Sequence, residues 1–266
     1  MFVDHGGHRI SVVPWVSDQR ALDGPMTSAH WRAYGAVLAA VHAAPVTGSS
    51  AGCCRRAVPR TLDRGRDPRD GRAAARPGRG RPRGSAVRGA GGVWSAAADR
   101  LGVLTSEIER GAVDPLARPG SGVVCHGDPH LGNLLLGADG QVWLIDWDDA
   151  VLAPVECDLM FVLGGVLAFA PITAEQQKAV LAGYGNTDID PARLAWFLAV
   201  RALDDLSDWT RQALERDAEA SDRSRAARIV RGLVSPVGLV TLADTAMRGL
   251  DRRRGAGGHR ADMRDQ

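Results

Sequence analysis

Lysine is almost absent from this sequence. Lys178 is the only lysine among 266 residues, and arginine supplies all the other basic side chains. Because no lysine precedes Lys178, the first two thirds of the chain cannot contain a nucleotide site that is built on a lysine. The net charge of +2 is unremarkable, but it conceals an uneven distribution of charge along the chain.

The sequence also lacks the marks of a secreted or membrane protein. Residues 1–10 have no basic region followed by an apolar run, so they are not a signal peptide. The longest apolar run, residues 159–172, is shorter than the about 20 residues that span a bilayer, and we expect a buried helix there. The cysteines have no spacing typical of zinc sites and are interpreted as free thiols in a reducing compartment: Cys53, Cys54, Cys125 and Cys157. We therefore expect a cytoplasmic protein.

Residues 48–92 differ from the rest of the chain. They contain twelve Arg, three Asp and no aromatic residue. Such a segment buries too little apolar surface to offset its chain entropy, so it is predicted to be disordered. A second hypothesis is that it is translated out of frame from a GC-rich gene, which reading the other frames would test. Arginine can bind nucleic-acid backbones, but without an aromatic residue for base stacking we expect no specific nucleic-acid partner.

Most of the remaining sequence predicts helices. Thr27 is a plausible N-cap of a first helix, Thr173 and Gln176 form a capping-box pattern, and Asp190 with Pro191 marks the start of a long helix. Residues 10–16 are predicted to be a short strand. Three further helices are predicted by their apolar spacing, over 95–112, 221–234 and 238–250.

A hairpin is predicted within the stretch VVCHGDPHLGNLLLGADGQVWLIDWDDA. Two apolar runs, residues 133–136 and 142–145, flank a GADG turn in which glycine supplies positive φ. The start of one arm and the end of the other are neighbours in an antiparallel hairpin. Asn133 and Asp146 are therefore predicted to lie side by side.

Asp128 precedes the first arm of this hairpin, so two carboxylates and one amide should converge. Their oxygens are hard ligands suited to Mg²⁺, which also binds substrate phosphates. A further carboxylate can orient a hydroxyl and accept its proton. The D-x4-N spacing from Asp128 to Asn133 is that of the kinase catalytic loop. Together these residues indicate phosphoryl transfer.

Three motifs carry a resemblance to a known family: HGDPHLGN at 126–133, LIDWDDA at 144–150 and PVECDL at 154–159. The chain resembles the aminoglycoside phosphotransferase family, nearest its spectinomycin phosphotransferase branch. That family shares the protein-kinase-like fold with choline kinases. The resemblance implies transfer of the ATP γ-phosphate to a hydroxyl of a small molecule, possible substrates being aminocyclitol antibiotics such as spectinomycin.

The resemblance also implies roles for individual residues. Asp128 would be the catalytic base, and Asn133 and Asp146 would hold Mg²⁺ with the ATP phosphates. Three side chains would support the catalytic loop: His126, His130 and Asp158. Four further carboxylates either contact a cationic substrate or lie on solvated surfaces: Asp148, Asp149, Asp204 and Asp205.

The implied fold is α+β and protein-kinase-like, mainly the helical C-lobe with a small β-hairpin. Residues 1–47 are assigned to the hinge and first C-lobe helix, 48–92 to the arginine-rich segment, 93–250 to the C-lobe and 251–266 to a loose tail. The N-lobe is expected to be largely missing, because no glycine-rich loop or strand lysine is found. Two expectations stay open, an active ATP-dependent kinase and a catalytically inactive truncated C-lobe fragment.

Overall fold

The computed structural model describes residues 2–5, 8–11, 14–46, 55–56, 97–108, 122–167, 170–215 and 217–262. Within them, helices and short strands form an α+β fold. The helices are α1 (Ser28–His42), α2 (97–108), α3 (Glu156–Leu163), α4 (Ala174–Tyr184), α5 (Pro191–Leu214), α6 (Ala220–Leu233) and α7 (Leu239–Asp262). The strands are β1 (Phe2–His5), β2 (His8–Ser11), β3 (Arg55–Arg56), β4 (Val123–Cys125), β5 (Leu134–Leu136), β6 (Val142–Leu144) and β7 (Val151–Ala153).

The three predicted helix starts are confirmed by their capping contacts. The Thr27 side chain accepts from the backbone of His30, whose ring bonds back to the Thr27 backbone. Thr173 and Gln176 form the predicted capping box of α4. Asp190 accepts from the backbone N–H of Ala192 at the start of α5. Each cap satisfies a backbone donor that the first helical turn leaves without a partner.

Two small sheets frame the loop that follows β4. Strands β5 and β6 form the predicted antiparallel hairpin, with Leu134 opposite Leu144. In its turn both Asp139 (φ 59°) and Gly140 (φ 83°) have positive φ. In the second sheet β7 lies between β4, to which it is antiparallel, and β3, to which it is parallel. The loop from β4 to β5 therefore starts in one sheet and ends in the other.

Helix α3 lies between two hydrophobic cores. Met160 and Phe161 belong to a core with the buried faces of α2, α5 and α7. Leu159 and Val162 belong to a second core with residues of α1 and the β5–β6 hairpin. All residues from Glu156 to Val162 are buried. A helix buried all round needs an almost continuous apolar sequence, which explains the run that begins at Leu159.

The buried helix predicted over residues 159–172 is shorter in the structure. Helix α3 stops at Leu163, and Gly165 has a φ of 66°, so a single helix does not continue to residue 172. Glycine adopts this left-handed conformation without the steric penalty of a Cβ. Within the described residues, no helix is both long enough and apolar enough to cross a membrane.

Two other segments differ from the predictions. Strands β1 and β2 pair antiparallel, and residues 14–17, which begin at Pro14, are irregular rather than part of a strand over 10–16. Helix α7 continues through Asp262, so residues 251–262 are helical where a loose tail was predicted. This stretch contains no proline, and propagation of a nucleated helix adds one hydrogen bond per residue. Of residues 48–92 only Arg55–Arg56 are described, as strand β3, and the prediction for the others lies outside the described residues.

Helices α1 and α4 approach each other closely through glycine. A Cβ added to Gly35 would lie 1.9 Å from the carbonyl oxygen of Val180, and one added to Gly183 would lie 1.9 Å from that of Arg32. Real Cβ atoms do not come this close to backbone, so both positions require glycine if the helices are to keep their separation.

We predict that Gly35→Ala destabilises the fold by about 2 kcal/mol or more, because forced helix separation outweighs the gain in helix propensity. Urea unfolding measures this change. Gly102 in α2 is the matched control, since a Cβ there meets nothing within 4 Å. Gly102→Ala should be neutral or stabilising by up to about 1 kcal/mol. Equal effects of the two substitutions would contradict the described packing.

Candidate active site

The loop between β4 and β5 carries Asp128 and is shaped by Gly127. Gly127 has a φ of 85°, and a Cβ there would lie 2.2 Å from the carbonyl oxygen of Asp149. Glycine is therefore required both by the left-handed backbone and by the close approach of a neighbouring turn. The sharp bend redirects the chain directly after the strand and sets the position of Asp128.

Asp158, on the first turn of α3, holds this loop through its backbone. Its Oδ2 accepts from the N–H of His126 at 2.7 Å, and its Oδ1 accepts from the N–H of Gly127 at 2.8 Å. His42 Nε2 lies 3.0 Å from the same Oδ2. The Asp158 side chain is 0% exposed. A buried carboxylate is tolerated only when such hydrogen bonds replace its lost hydration.

His42 extends this contact to α4. Tyr184 lies with its hydroxyl 2.7 Å from His42 Nδ1. Burial raises the pKa of Tyr184 to about 12, so the hydroxyl keeps its proton at neutral pH. Because an ionised carboxylate only accepts hydrogen bonds, the Nε2 atom of His42 must carry a proton in its bond to Asp158. Contacts of α1, α3 and α4 thus fix the loop that follows β4.

Further side chains fix the loop from other directions. Tyr34 donates from its hydroxyl to the carbonyl oxygen of Pro129 at 2.6 Å, and burial raises the pKa of this tyrosine.

His126 Nε2 lies 3.0 Å from the carbonyl oxygen of Ile145, and its ring packs on Trp147 at 4.6 Å between centroids. His130 Nδ1 accepts from the N–H of Gly132 at 2.9 Å. The two histidines thus contact the loop and the hairpin as structural side chains would.

Asp128 and Asn133 are in contact at the open end of the hairpin, where the backbone also brings Asp146 next to Asn133. The side-chain Nδ2 of Asn133 donates to the Asp128 carbonyl oxygen at 2.8 Å and lies 3.5 Å from the Asp128 Oδ2. The N–H of Ile145 donates to the carbonyl oxygen of Asn133 at 3.0 Å, so Asp146 follows directly beside Asn133. Asp146 is exposed and has φ 67° and ψ 69°.

The donor set at this end fits Mg²⁺. The amide nitrogen of Asn133 is used within the loop, which leaves its carbonyl oxygen as the ligand atom, and Asp146 offers an exposed carboxylate. Both are hard oxygens, and two protein ligands are typical of a magnesium ion that also binds phosphates and water. The left-handed backbone of Asp146 is unfavourable for a non-glycine residue and is the kind of outlier found at functional sites. Asn133 and Asp146 are thus the residues that could hold the metal.

Arg201 is a site residue that was not predicted from the sequence. Its Nη1 lies 2.8 Å from Asp128 Oδ1, and its Nε lies 2.8 Å from Asp205 Oδ1. The i, i+4 spacing of Arg201 and Asp205 on a predicted helix was a usable signal for their own pairing. Nothing in the sequence indicates the contact with Asp128, which is 73 positions away.

The remaining predicted carboxylates have different surroundings. Asp148 and Asp149 lie in an exposed turn after Asp146. Asp205 reaches the site through Arg201, and burial raises the pKa of Asp205 although Arg201 opposes the shift. Asp204 is half-buried on the same helix. Asp205 is thus joined to Asp128 through Arg201.

A second group of side chains has the ligand types of a metal site. Atoms of His42, Cys125 and Asp158 lie within 4.8 Å of one another, and all three residues are buried. Both Asp158 oxygens already accept hydrogen bonds, and the Cys125 Sγ lies 3.5 Å from the carbonyl oxygens of Ala153 and Pro154. Hydrogen bonding therefore accounts for this cluster without an ion. Cys125 and Cys157 are free thiols, as predicted.

We predict that Asp158→Asn destabilises the protein by about 3 kcal/mol. The asparagine amide is uncharged and has one acceptor oxygen, so it cannot accept from both backbone N–H groups as the carboxylate does. Urea unfolding measures the loss, and amide hydrogen exchange should accelerate at His126 and Gly127. Asp139→Asn is the control: Asp139 is exposed with φ 59°, a conformation that asparagine also adopts, so its effect should stay within about 0.5 kcal/mol. Unchanged exchange at His126 and Gly127 in Asp158→Asn would contradict the anchoring role.

Comparison with solved structures gives the same fold. The chain is similar to spectinomycin phosphotransferase APH(9)-Ia in complex with ADP and spectinomycin, with a TM-score of 0.74 and 20% identity over 92% of this chain and 74% of that one. It is also similar to the AMP-bound complex of APH(9)-Ia, with a TM-score of 0.68 and 20% identity over 86% of this chain and 70% of that one. At this identity the likeness shows a shared fold.

The family follows from the sequence itself. The profile described as the phosphotransferase enzyme family (APH) matches residues 3–197, which include α1, the loop with Asp128 and the hairpin with Asn133 and Asp146. The match covers well over half of the chain, and the resemblance that the three sequence motifs indicated is confirmed. This chain belongs to the phosphotransferase enzyme family, APH.

Proposed function

We propose that this protein is an ATP-dependent kinase that phosphorylates a hydroxyl group of a small molecule, in the first instance an aminocyclitol antibiotic such as spectinomycin. The observation that carries the proposal is the convergence of Asp128 with Asn133 and Asp146 at the open end of the hairpin. In this proposal Asp128 is the carboxylate that accepts a proton, and Asn133 and Asp146 supply the hard oxygens for Mg²⁺; the contact of Asn133 with Asp128 and the position of Ile145 next to Asn133 support these roles.

In the proposed reaction, Asp128 orients the acceptor hydroxyl and takes its proton. The hydroxyl oxygen forms a bond to the γ-phosphorus, the bond from the γ-phosphorus to the β–γ bridging oxygen breaks, and ADP leaves. Bound Mg²⁺ would supply charge stabilisation for the phosphate oxygens. Because catalysis of this reaction is mostly positioning and electrostatics, the fixed geometry of the loop is the main contribution of the protein.

Support for a cationic acceptor comes from the charges on α5. Asp204 and Asp205 lie on the helix that carries Arg201, and Asp205 contacts Arg201 beside Asp128. Carboxylates at this place would favour an acceptor with ammonium groups. The fold is shared with an enzyme whose structure contains ADP and spectinomycin, which makes this antibiotic the first acceptor to test.

A second candidate is a family member that has lost catalysis. It is favoured by one feature of the sequence, the absence of any lysine before Lys178, because kinases of this type place a lysine on the α- and β-phosphates. This candidate retains the anchored loop for structural reasons only. Turnover measurements separate the two candidates.

We predict Mg²⁺-dependent ADP formation by the wild-type protein with spectinomycin or a related aminocyclitol. Asp128→Asn should lower kcat by about 1,000-fold, because the amide cannot accept the hydroxyl proton. Asp188→Asn, an exposed carboxylate ahead of α5, is the matched control and should keep wild-type turnover. A coupled assay for ADP measures all three proteins.

Turnover that persists unchanged in Asp128→Asn would contradict the assigned base. Absence of acceptor-dependent turnover in the folded wild type, across a panel of aminocyclitols and aminoglycosides, would favour the non-catalytic candidate.

A further inference from the structure

Arg201 occupies an unusual position on α5, between two carboxylates. Its guanidinium contacts Asp128 Oδ1 through Nη1 and Asp205 Oδ1 through Nε, each at 2.8 Å. Its side chain is 22% exposed, and its Cζ lies 5.1 Å from the centroid of the Phe161 ring. Arg201 is thus fixed by charge on two sides and by an aromatic ring of α3.

We propose that Arg201 is a positioning residue for the reaction, which holds the Asp128 carboxylate in one rotamer while Asp205 holds Arg201. The proposal rests on the proposed function, in which Asp128 is the base. This role differs from that of the metal ligands and from that of Asp158. Asp158 fixes the backbone of the loop, whereas Arg201, held by Asp205, fixes the side chain of Asp128.

The contact distinguishes the two oxygens of Asp128. Oδ1 is taken by Arg201, whereas Oδ2 lies on the side of Asn133, at 3.5 Å from its Nδ2, and of His130, at 3.6 Å from its Nε2. The acceptor hydroxyl must meet the γ-phosphate near Asn133 and Asp146. Oδ2 is then the oxygen that accepts the proton, and Arg201 keeps it directed there.

Charge explains why two carboxylates share one arginine. Both Asp205 and Asp128 raise the pKa of Arg201 against the effect of burial, so the guanidinium stays charged. By formal charge the two carboxylates outnumber the one guanidinium, and this excess of acidic groups suits a cationic acceptor. Arginine suits this place because its delocalised guanidinium lies between the two carboxylates, with a hydrogen bond from Nη1 to Asp128 and an ion pair between Nε and Asp205.

Four variants test the catalytic part of the inference. Arg201→Met should lower kcat on the order of 100-fold while KM for MgATP stays within about threefold, because a misdirected base affects the chemical step and not nucleotide binding. Arg201→Lys, which keeps one charged donor, should recover part of that loss. Asp205→Asn should lower kcat less than Arg201→Met. Arg211→Met removes an exposed arginine of the same helix, paired with Asp208, and should behave as wild type.

A kcat in Arg201→Met equal to that of wild type would overturn the inference. So would a loss in Arg201→Lys as large as that in Arg201→Met, or a kcat loss accompanied by an equal rise in KM for MgATP. If Arg201→Met does not fold, Arg201→Lys and Asp205→Asn provide the same comparison with the charge network weakened rather than removed.

The pairing itself is tested without any substrate. In a double-mutant cycle of urea unfolding with Arg201→Met and Asp128→Asn, the two effects should be non-additive by about tenfold in the unfolding equilibrium constant. Additive effects would refute the contact. A wild-type protein that shows this coupling but no turnover would overturn the proposed function, and with it the catalytic role of Arg201, while the pairing of Arg201 and Asp128 would stand.

Discussion

The rest of this structure depends on one buried negative charge. The carboxylate of Asp158 would be strongly unfavourable inside the protein on its own, and it is tolerated because the N–H groups of His126 and Gly127 and the ring of His42 replace its water. The same bonds satisfy the backbone of a loop that has left its strand. Removing the charge would leave the N–H groups of His126 and Gly127 without their acceptor. The stability of α3 and the geometry of the site therefore depend on the same hydrogen bonds.

The architecture explains how such a charge can be held rigidly. Helix α3 is buried between two cores, and α1 and α4, which carry His42 and Tyr184, approach each other through glycine contacts. The loop therefore rests on elements that cannot shift independently. Asn133 and Asp146 come from the hairpin, whereas Arg201 comes from α5, so the two oxygens of Asp128 face different parts of the fold. Positioning of this kind is what phosphoryl transfer requires of a protein.

Much of this arrangement could be predicted from local sequence. Caps at Thr27, Thr173 and Asp190 and the hairpin that joins Asn133 to Asp146 depend on short-range rules of spacing and turn chemistry. The contacts of Tyr34 and Arg201 with the loop, and that of His42 with Asp158, could not be predicted in this way, because each joins residues more than 70 positions apart. The end of α3 was also missed, since an apolar run alone does not show where a Gly-Gly pair breaks a helix.

The most direct test of the central claim is calorimetric titration of the protein with MgATP, on the wild type and on Asp146→Ala. The account predicts saturable binding by the wild type that disappears when Mg²⁺ is chelated and is lost in the folded variant, because Asn133 alone is too poor a ligand set for the metal. Equal binding by both proteins, or binding that does not depend on Mg²⁺, would contradict the assignment of this hairpin end as a phosphotransferase metal site.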